Sequence, residues 1–142
     1  MKLDWFMLAD AAVVADGKYY IHGGAITRIT ANALPWAHPQ LALVQRLVLE
    51  PEDVGRHELA IAVLNPHDDV IIESKLGFTV DAPQDLLEGE PFTAHLALTL
   101  AHFVVVEEGP HRVLIAIDGK RAWQEPFIVK YEPPRPTQPP DA

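Results

Sequence analysis

The residues of this chain with the most chemical potential are its seven histidines and several neighbouring acids. His22, His38, His57, His67, His95, His102 and His111 form no H-x-H pair and no H-E-x-x-H helix, so no spacing aims two imidazoles at one zinc ion. His57 and His111 each open a strand-like run beside an arginine. His67 precedes Asp68 and Asp69, and this trio is the best candidate metal site, because an imidazole and two carboxylates suit hard or transition cations. His-Asp-Asp is equally ordinary turn composition. The expectation is therefore no bound metal and no cofactor, with His67, Asp68 and Asp69 as the candidates to locate. A broader metal-dependent reading, as a metal-binding sandwich or enzyme, would add His57, His95, His102 and His111.

The other routes to catalysis lack parts. Ser74 is the single serine. It shares the apolar face of Ile72 and Leu76, and no G-x-S-x-G turn presents it. There is no cysteine, hence no thiolate ligand, thiol nucleophile or disulfide. His22-Gly23-Gly24 is followed by no Lys-Ser or Lys-Thr and matches no phosphate loop. It reads instead as a bulge or bend. The acid pairs Asp68/Asp69, Glu107/Glu108 and Asp81/Asp85 lie in loops, whereas glycoside hydrolysis needs two carboxyls in contrasting environments across a bond. No enzyme is expected. Trp36, between Pro35 and Pro39, reads as a loop aromatic suited to a protein contact or to stacking a sugar, as in a carbohydrate-binding module.

Composition narrows the partners. The chain has 142 residues, 49% of them hydrophobic, enough for one domain with a real core. Its net charge of −9 argues against a nucleic-acid partner, which needs clustered Lys and Arg. No apolar run approaches a membrane span, and Asp4 and Asp10 interrupt any signal-peptide core. With no disulfides to suggest an oxidising compartment, the expected location is cytoplasmic.

The elements that must position these residues are strands. Period-two alternation marks a half-buried strand. It places Leu59, Ile61 and Val63 on one face, then Val70, Ile72, Leu76, Phe78 and Val80, then Phe92, Leu96, Leu98 and Leu100. Asp118-Gly119 between two such runs is a strong hairpin signal. Pro126 interrupts the second run, and its missing N–H suits only an edge or a bulge. Asn65 to Asp69 reads as a hairpin loop. Pro51 amid acids predicts one helical turn within 50–55, and Ala82 to Leu87 another.

The sum is an all-β domain over residues 1–132. It is expected to be an antiparallel β-sandwich of eight to nine short strands, with a small β-barrel as the alternative. The expected core is Trp5, Met7, Tyr19, Ile21, Leu41, Leu43, Leu47, Ile61, Val63, Ile72, Phe78, Leu96, Leu98, Val113, Ile115, Ile117 and Phe127. Residues 133–142 form a proline-rich tail expected to be disordered or polyproline-like.

The opposite strand faces are small and apolar where a solvated face usually carries Lys, Glu and Thr. They comprise Ala42 and Val44; Ala60, Ala62 and Leu64; Ala97 and Ala101; and Leu114 and Ala116. A second copy or another protein is expected to cover one sheet. The candidate contacts are Trp36, Ala60, Ala62, Leu114 and Ala116.

These residues also carry a family likeness. Leu8-Ala9-Asp10-Ala11-Ala12, Asp16-Gly17-Lys18-Tyr19 running into Gly23-Gly24, the Leu41–Leu49 stretch, His57-Glu58-Leu59, and Gly109-Pro110-His111-Arg112 leading to Ile117-Asp118-Gly119 resemble the bacterial domain of unknown function 6941. The resemblance spans roughly residues 3 to 131 and implies a stand-alone β domain with no assigned activity or catalytic residues. The expected function is a non-catalytic binding or assembly module that self-associates through a sheet face.

Overall fold

The computed structural model describes residues 1–137. Residues 138–142, the end of the expected disordered tail, lie outside the described residues. Ten strands run in order: β1 (Lys2–Ala9), β2 (Ala11–Ala15), β3 (Lys18–His22), β4 (Arg28–Ala31), β5 (Trp36–Val48), β6 (Gly55–Leu64), β7 (Val70–Val80), β8 (Thr93–Val105), β9 (Gly109–Ile117) and β10 (Lys120–Tyr131). They form a three-stranded sheet, β1-β5-β8, a five-stranded sheet, β4-β10-β9-β6-β7, and the separate hairpin β2-β3. The all-β sandwich expectation holds. The fold departs in having ten strands where eight to nine short ones are expected, several of them long, and in the short β4, which pairs with β10 in parallel.

The two large sheets enclose the core. Leu41, Leu43 and Leu47 of β5 face Leu59, Ile61 and Val63 of β6 and Val113, Ile115 and Ile117 of β9, with Phe103 and Phe127 among them. The Asp118-Gly119 turn joins β9 to β10 with φ of 50° and 78°, the doubly positive geometry that matches strand twist. Pro126 is tolerated for a local reason. β10 pairs with β9 on one side at this level, while its other neighbour, β4, begins only opposite Ile128. The proline therefore sits at a local edge and removes no ladder bond.

Four expected core residues have a different address. Trp5, Met7, Tyr19 and Ile21 pack on the outer face of the three-stranded sheet, around fully buried Ala9, Ala42 and Val44. The β2-β3 hairpin folds across that face and covers it. The Tyr19 hydroxyl donates to the backbone carbonyl of Gln45 at 2.6 Å and pins the hairpin down. Gly23 turns the chain out of the hairpin at φ +59°, where a Cβ would collide with the Asp10 carboxylate. The following segment runs beside β1, with Ile26 N–H donating to Leu8 at 2.9 Å, then crosses to the five-stranded sheet.

Trp36 is not a loop residue. It opens β5, is half-buried, and packs on the main core beside His38. Alternation from Leu41 would point it outward, but strands β5 and β8 switch faces together at Pro39 and His102. His38 pairs with Phe103 and Gln40 with Ala101, leaving one residue between on each strand, and His102 has φ 53°. Even-numbered Trp36 thus joins the same core as odd-numbered Leu41 and Leu43. The helical turn expected near Pro51 is present as a 3-10 turn, Pro51–Asp53, with Glu50 N–H donating to the Asp53 carboxylate at 2.8 Å. The one expected at Ala82 to Leu87 is absent; that segment is an exposed loop.

One core position breaks the apolar pattern. Gln45 follows Leu41 and Leu43 on the inner face of β5, is fully buried, and neither side-chain amide atom has a hydrogen-bond partner among the described residues. An unsatisfied buried amide costs about 1–3 kcal/mol, whereas an apolar side chain of similar size restores packing without that cost. Gln45→Leu is expected to stabilise the fold by about 1–2 kcal/mol, read as a higher denaturation midpoint with an unchanged slope.

Candidate interaction face

The sandwich has two outer faces. The hairpin occupies one; the other, on the five-stranded sheet, has no cover among the described residues. Its centre is small and apolar because the two middle strands pair alanine with alanine. Ala60 of β6 lies opposite Ala116 of β9, and Ala62 opposite Leu114. All four are half-buried, screened by longer side chains on the flanking strands. Lys75 and Glu73 of β7 stand beside Ala60 and Ala62, and Gln124 of β10 stands beside Leu114. Leu64, after a bulge, closes the apolar strip at 7% exposure. Four of the five contact candidates therefore form one patch. Trp36 does not join them, since it lies in the other sheet and faces inward.

Polar clasps hold both ends of this face. At one end the β6-β7 loop is organised by the Asn65 carboxamide oxygen, which accepts from the backbone N–H of His67 and of Asp69, each at 2.9 Å. The suggested metal trio is here, but its members are pulled apart. Asp68 pairs with Arg112, Asp69 accepts from Asn65 at 3.3 Å, and His67 reaches Glu107 at 3.0 Å. The wider histidine set is scattered. His57 sits at the far end of β6; His95 bonds the Gly17 carbonyl at 3.0 Å; His102 is exposed; His111 is buried against Phe127. Among the described residues no three His, Cys, Asp or Glu side chains converge to hold a metal ion.

At the other end, His57 is gripped from both sides. Its Nδ1 lies 2.6 Å from Asp118 Oδ2 and its Nε2 lies 2.7 Å from the Asp53 carbonyl. Two acceptors at one ring call for the doubly protonated imidazolium, which donates to both. The Asp118 carboxylate, followed by the Asp53 carbonyl, raises the His57 pKa above its ordinary value, and the same ion pair lowers that of Asp118. Asp118 also accepts from Glu58 N–H at 2.9 Å. This is a structural clasp between the β9-β10 turn and the 3-10 turn. With both nitrogens engaged, His57 has no lone pair for a base or a metal. Sequence reasoning picked out His57 and the Asp118 turn separately. Their union across 61 positions has no local signal.

His38 has the opposite electrostatics. Its two ring nitrogens are buried with no hydrogen-bond partner among the described residues, and burial lowers its pKa. Stability linked to a lowered histidine pKa is lost as pH falls below the ordinary value of 6.5, because the unfolded chain then binds the extra proton. Stability linked to a raised one is complete below 6.5 and is lost as pH rises through the folded value. Wild type should therefore show a histidine-linked stability maximum near pH 6.5. In denaturation midpoints measured across pH, His38→Phe is expected to flatten the acid limb and His57→Gln the limb above the maximum.

Among the described residues no helix is long and apolar enough to cross a membrane. No curated protein matches the chain. Solved structures give only distant likeness. An immunoglobulin-like protein from Pseudomonas aeruginosa matches at 15% identity and TM-score 0.40, over 91% of this chain and 95% of its own. A glycosyl hydrolase family 2 member from Bacteroides cellulosilyticus matches at 13% identity and TM-score 0.41, over 69% of this chain. An alkylpurine DNA glycosylase from Pseudomonas fluorescens matches at 11% identity and TM-score 0.39, over 88% of this chain. The chain spans 14% and 30% of the lengths of these two enzymes. At such scores none of the three carries an argument about function. The family model is decisive where these are not: it matches residues 4–130, and the chain belongs to the family of unknown function DUF6941.

Proposed function

We propose that this protein is a non-catalytic assembly module, acting in the cytoplasm, whose five-stranded face docks against the same face of a second copy. The observation that carries the reading is internal to the molecule. Two sheet faces have the same small-residue composition. One, around Ala9, Ala42 and Val44, is sealed by the β2-β3 hairpin to full burial. The other, around Ala60, Ala62, Leu114 and Ala116, receives no such cover from the described residues. A cover supplied by another molecule completes the pattern.

Size and charge favour a second copy. Five strands at about 4.8 Å spacing and nine residues of β9 at about 3.4 Å make a face near 24 by 30 Å, on the scale of the roughly 800 Å² per partner of a standard interface. Alanine floors let two sheets approach to about 10 Å. Copies of a chain with net charge −9 repel one another over most of their surface. On this face, however, Lys75 is paired with Glu58 at 4.0 Å and Arg112 with Asp68, and Glu73 beside Ala62 and Arg121 beside Ala116 offset each other, which leaves the patch close to neutral. The same acidity opposes nucleic acid and anionic membrane as partners.

Sedimentation or native mass spectrometry is expected to show a dimer. Ala116→Arg, which places a charge at the centre of the patch, is expected to weaken dimerisation by about a hundredfold or more while leaving the strand signature in circular dichroism intact. A wild-type monomer at high concentration, or a dimer indifferent to Ala116→Arg and Ala62→Arg, overturns the reading. A stoichiometric complex with a different protein through this face would replace the second copy as its occupant.

A further inference from the structure

Away from this face, the sandwich opens between β1 and β10, and at the end closed by the Asp118-Gly119 turn it forms a cleft of about 640 Å³. That volume lies within the usual range for small-molecule sites. The cleft is apolar below and cationic above. Its floor includes Leu3 at 4% exposure, Ile117 at 9%, and half-buried Ala122 and Trp123. The indole is held in place. Its Nε1 donates to Glu125 at 2.8 Å, and its ring stands 6.5 Å from that of Phe6. A bulge between Arg121 and Trp123 puts Lys120, opposite Ile117, and Trp123, opposite Ile115, on the cleft side together, which strict alternation would not do, while Arg121, opposite Ala116, borders the cleft from the outer face.

The charges around the cleft are unevenly satisfied. Its two carboxylates are already engaged: Asp118 by His57 and Glu58 N–H, and Asp53 by Glu50 N–H at 2.8 Å and the Met1 amine at 2.7 Å. Lys2, Lys120 and Arg121 also line it, and none of these has a carboxylate within 4 Å among the described residues. The chain has 20 acids and only 11 lysines and arginines. Three cations without a carboxylate partner among the described residues therefore gather at one apolar cleft of an otherwise acidic molecule. They leave positive charge above a fixed aromatic ring.

We infer that this cleft binds a small organic anion with a flat apolar body, its carboxylate or similar acidic group held by Lys120, Arg121 and Lys2 and its body packed on Trp123 and Ala122. The guanidinium offers the bidentate geometry that a carboxylate takes, and the indole face supplies stacking area. Asp53 and Asp118 do not repel the ligand's charge, because each is neutralised by its own partner. The cleft lies at the end of the sandwich and adjoins the assembly face only at Arg121, which stands opposite Ala116.

The test is a titration with 2-naphthoate, followed by tryptophan fluorescence and by calorimetry on the full chain. Saturable binding is expected, with quenching that is lost in Trp123→Phe. Lys120→Glu/Arg121→Glu is expected to weaken binding by about tenfold or more, as is replacing naphthoate with neutral 2-naphthamide. Lys18→Glu, a charge reversal outside the cleft, should leave affinity unchanged and rules out a net-charge effect. No saturable binding, equal affinity for naphthamide, or an unaltered Lys120→Glu/Arg121→Glu variant would each overturn the assignment. Inorganic phosphate binding as tightly as naphthoate would overturn the apolar half of it. The substituted residues flank an exposed turn, and an unchanged unfolding midpoint verifies that the variant remains folded.

Discussion

A β-sheet has two faces, and apolar side chains on both of them must be removed from water. That constraint organises this molecule. Alternation sends Leu41, Leu43 and Leu47 inward, and the same alternation sends Ala42 and Val44 outward. The three-stranded sheet therefore needs a partner on each side. It finds the five-stranded sheet on one and the β2-β3 hairpin on the other. Small residues on the hairpin-covered face follow from closeness: Ala9, Ala42 and Val44 have no exposure because Trp5, Met7, Tyr19 and Ile21 fill the space above them. Tyr19 and Ile21 come from the covering hairpin and Trp5 and Met7 from the edge strand β1, and the small residues at the centre leave them room to interdigitate. The five-stranded sheet meets the same demand on its inner side and carries the same kind of floor on its outer side.

What could be read from the residues follows the range of the forces involved. Strand positions, the Asp118-Gly119 hairpin, the proline at a local edge and the small outer faces are all set by neighbours a few positions away, and all were legible. The partners of those elements were not. Nothing local says that the hairpin lies on Ala42 instead of being inserted in the core, so Trp5 and Tyr19 were placed on the wrong side of the sheet. Trp36 was misplaced for a related reason. The paired switch of faces at Pro39 and His102 involves two strands far apart in sequence, and alternation counted along either strand alone cannot register it. The His57 and Asp118 clasp has the same character. Each residue sits in an ordinary context, and only the pairing of β6 with β9 brings them together.

The trio His67, Asp68 and Asp69 shows how sequence proximity differs from spatial convergence. His67, Asp68 and Asp69 are adjacent, but successive residues of a tight turn point in different directions. Each side chain therefore finds its own partner in Glu107, Arg112 or Asn65. The loop's acids serve the turn and its anchoring to β9. Ligand clusters more often come from residues whose strands or helices aim them at one point.

Charge pairing differentiates the ends of the sandwich more sharply than composition does. An excess of nine negative charges would, if spread evenly, leave every cleft repelling anions. The acids are not spread evenly in effect, because several are spent on holding turns together. Asp118 closes on His57, Asp53 on the backbone of Glu50 and the Met1 amine, and Asp68 on Arg112. Each such pairing removes a negative charge from its surroundings. Where the cationic partner is a histidine or the Met1 amine, no lysine or arginine is consumed in return. At the β9-β10 turn the consequence is local and positive: the carboxylates are neutralised from within, and Lys2, Lys120 and Arg121 have no acidic partner among the described residues around Trp123. A clasp whose first role is to fix two turns thus also sets the sign of the cleft beside it. The same residues that stabilise the end of the sandwich decide what kind of molecule that end can hold.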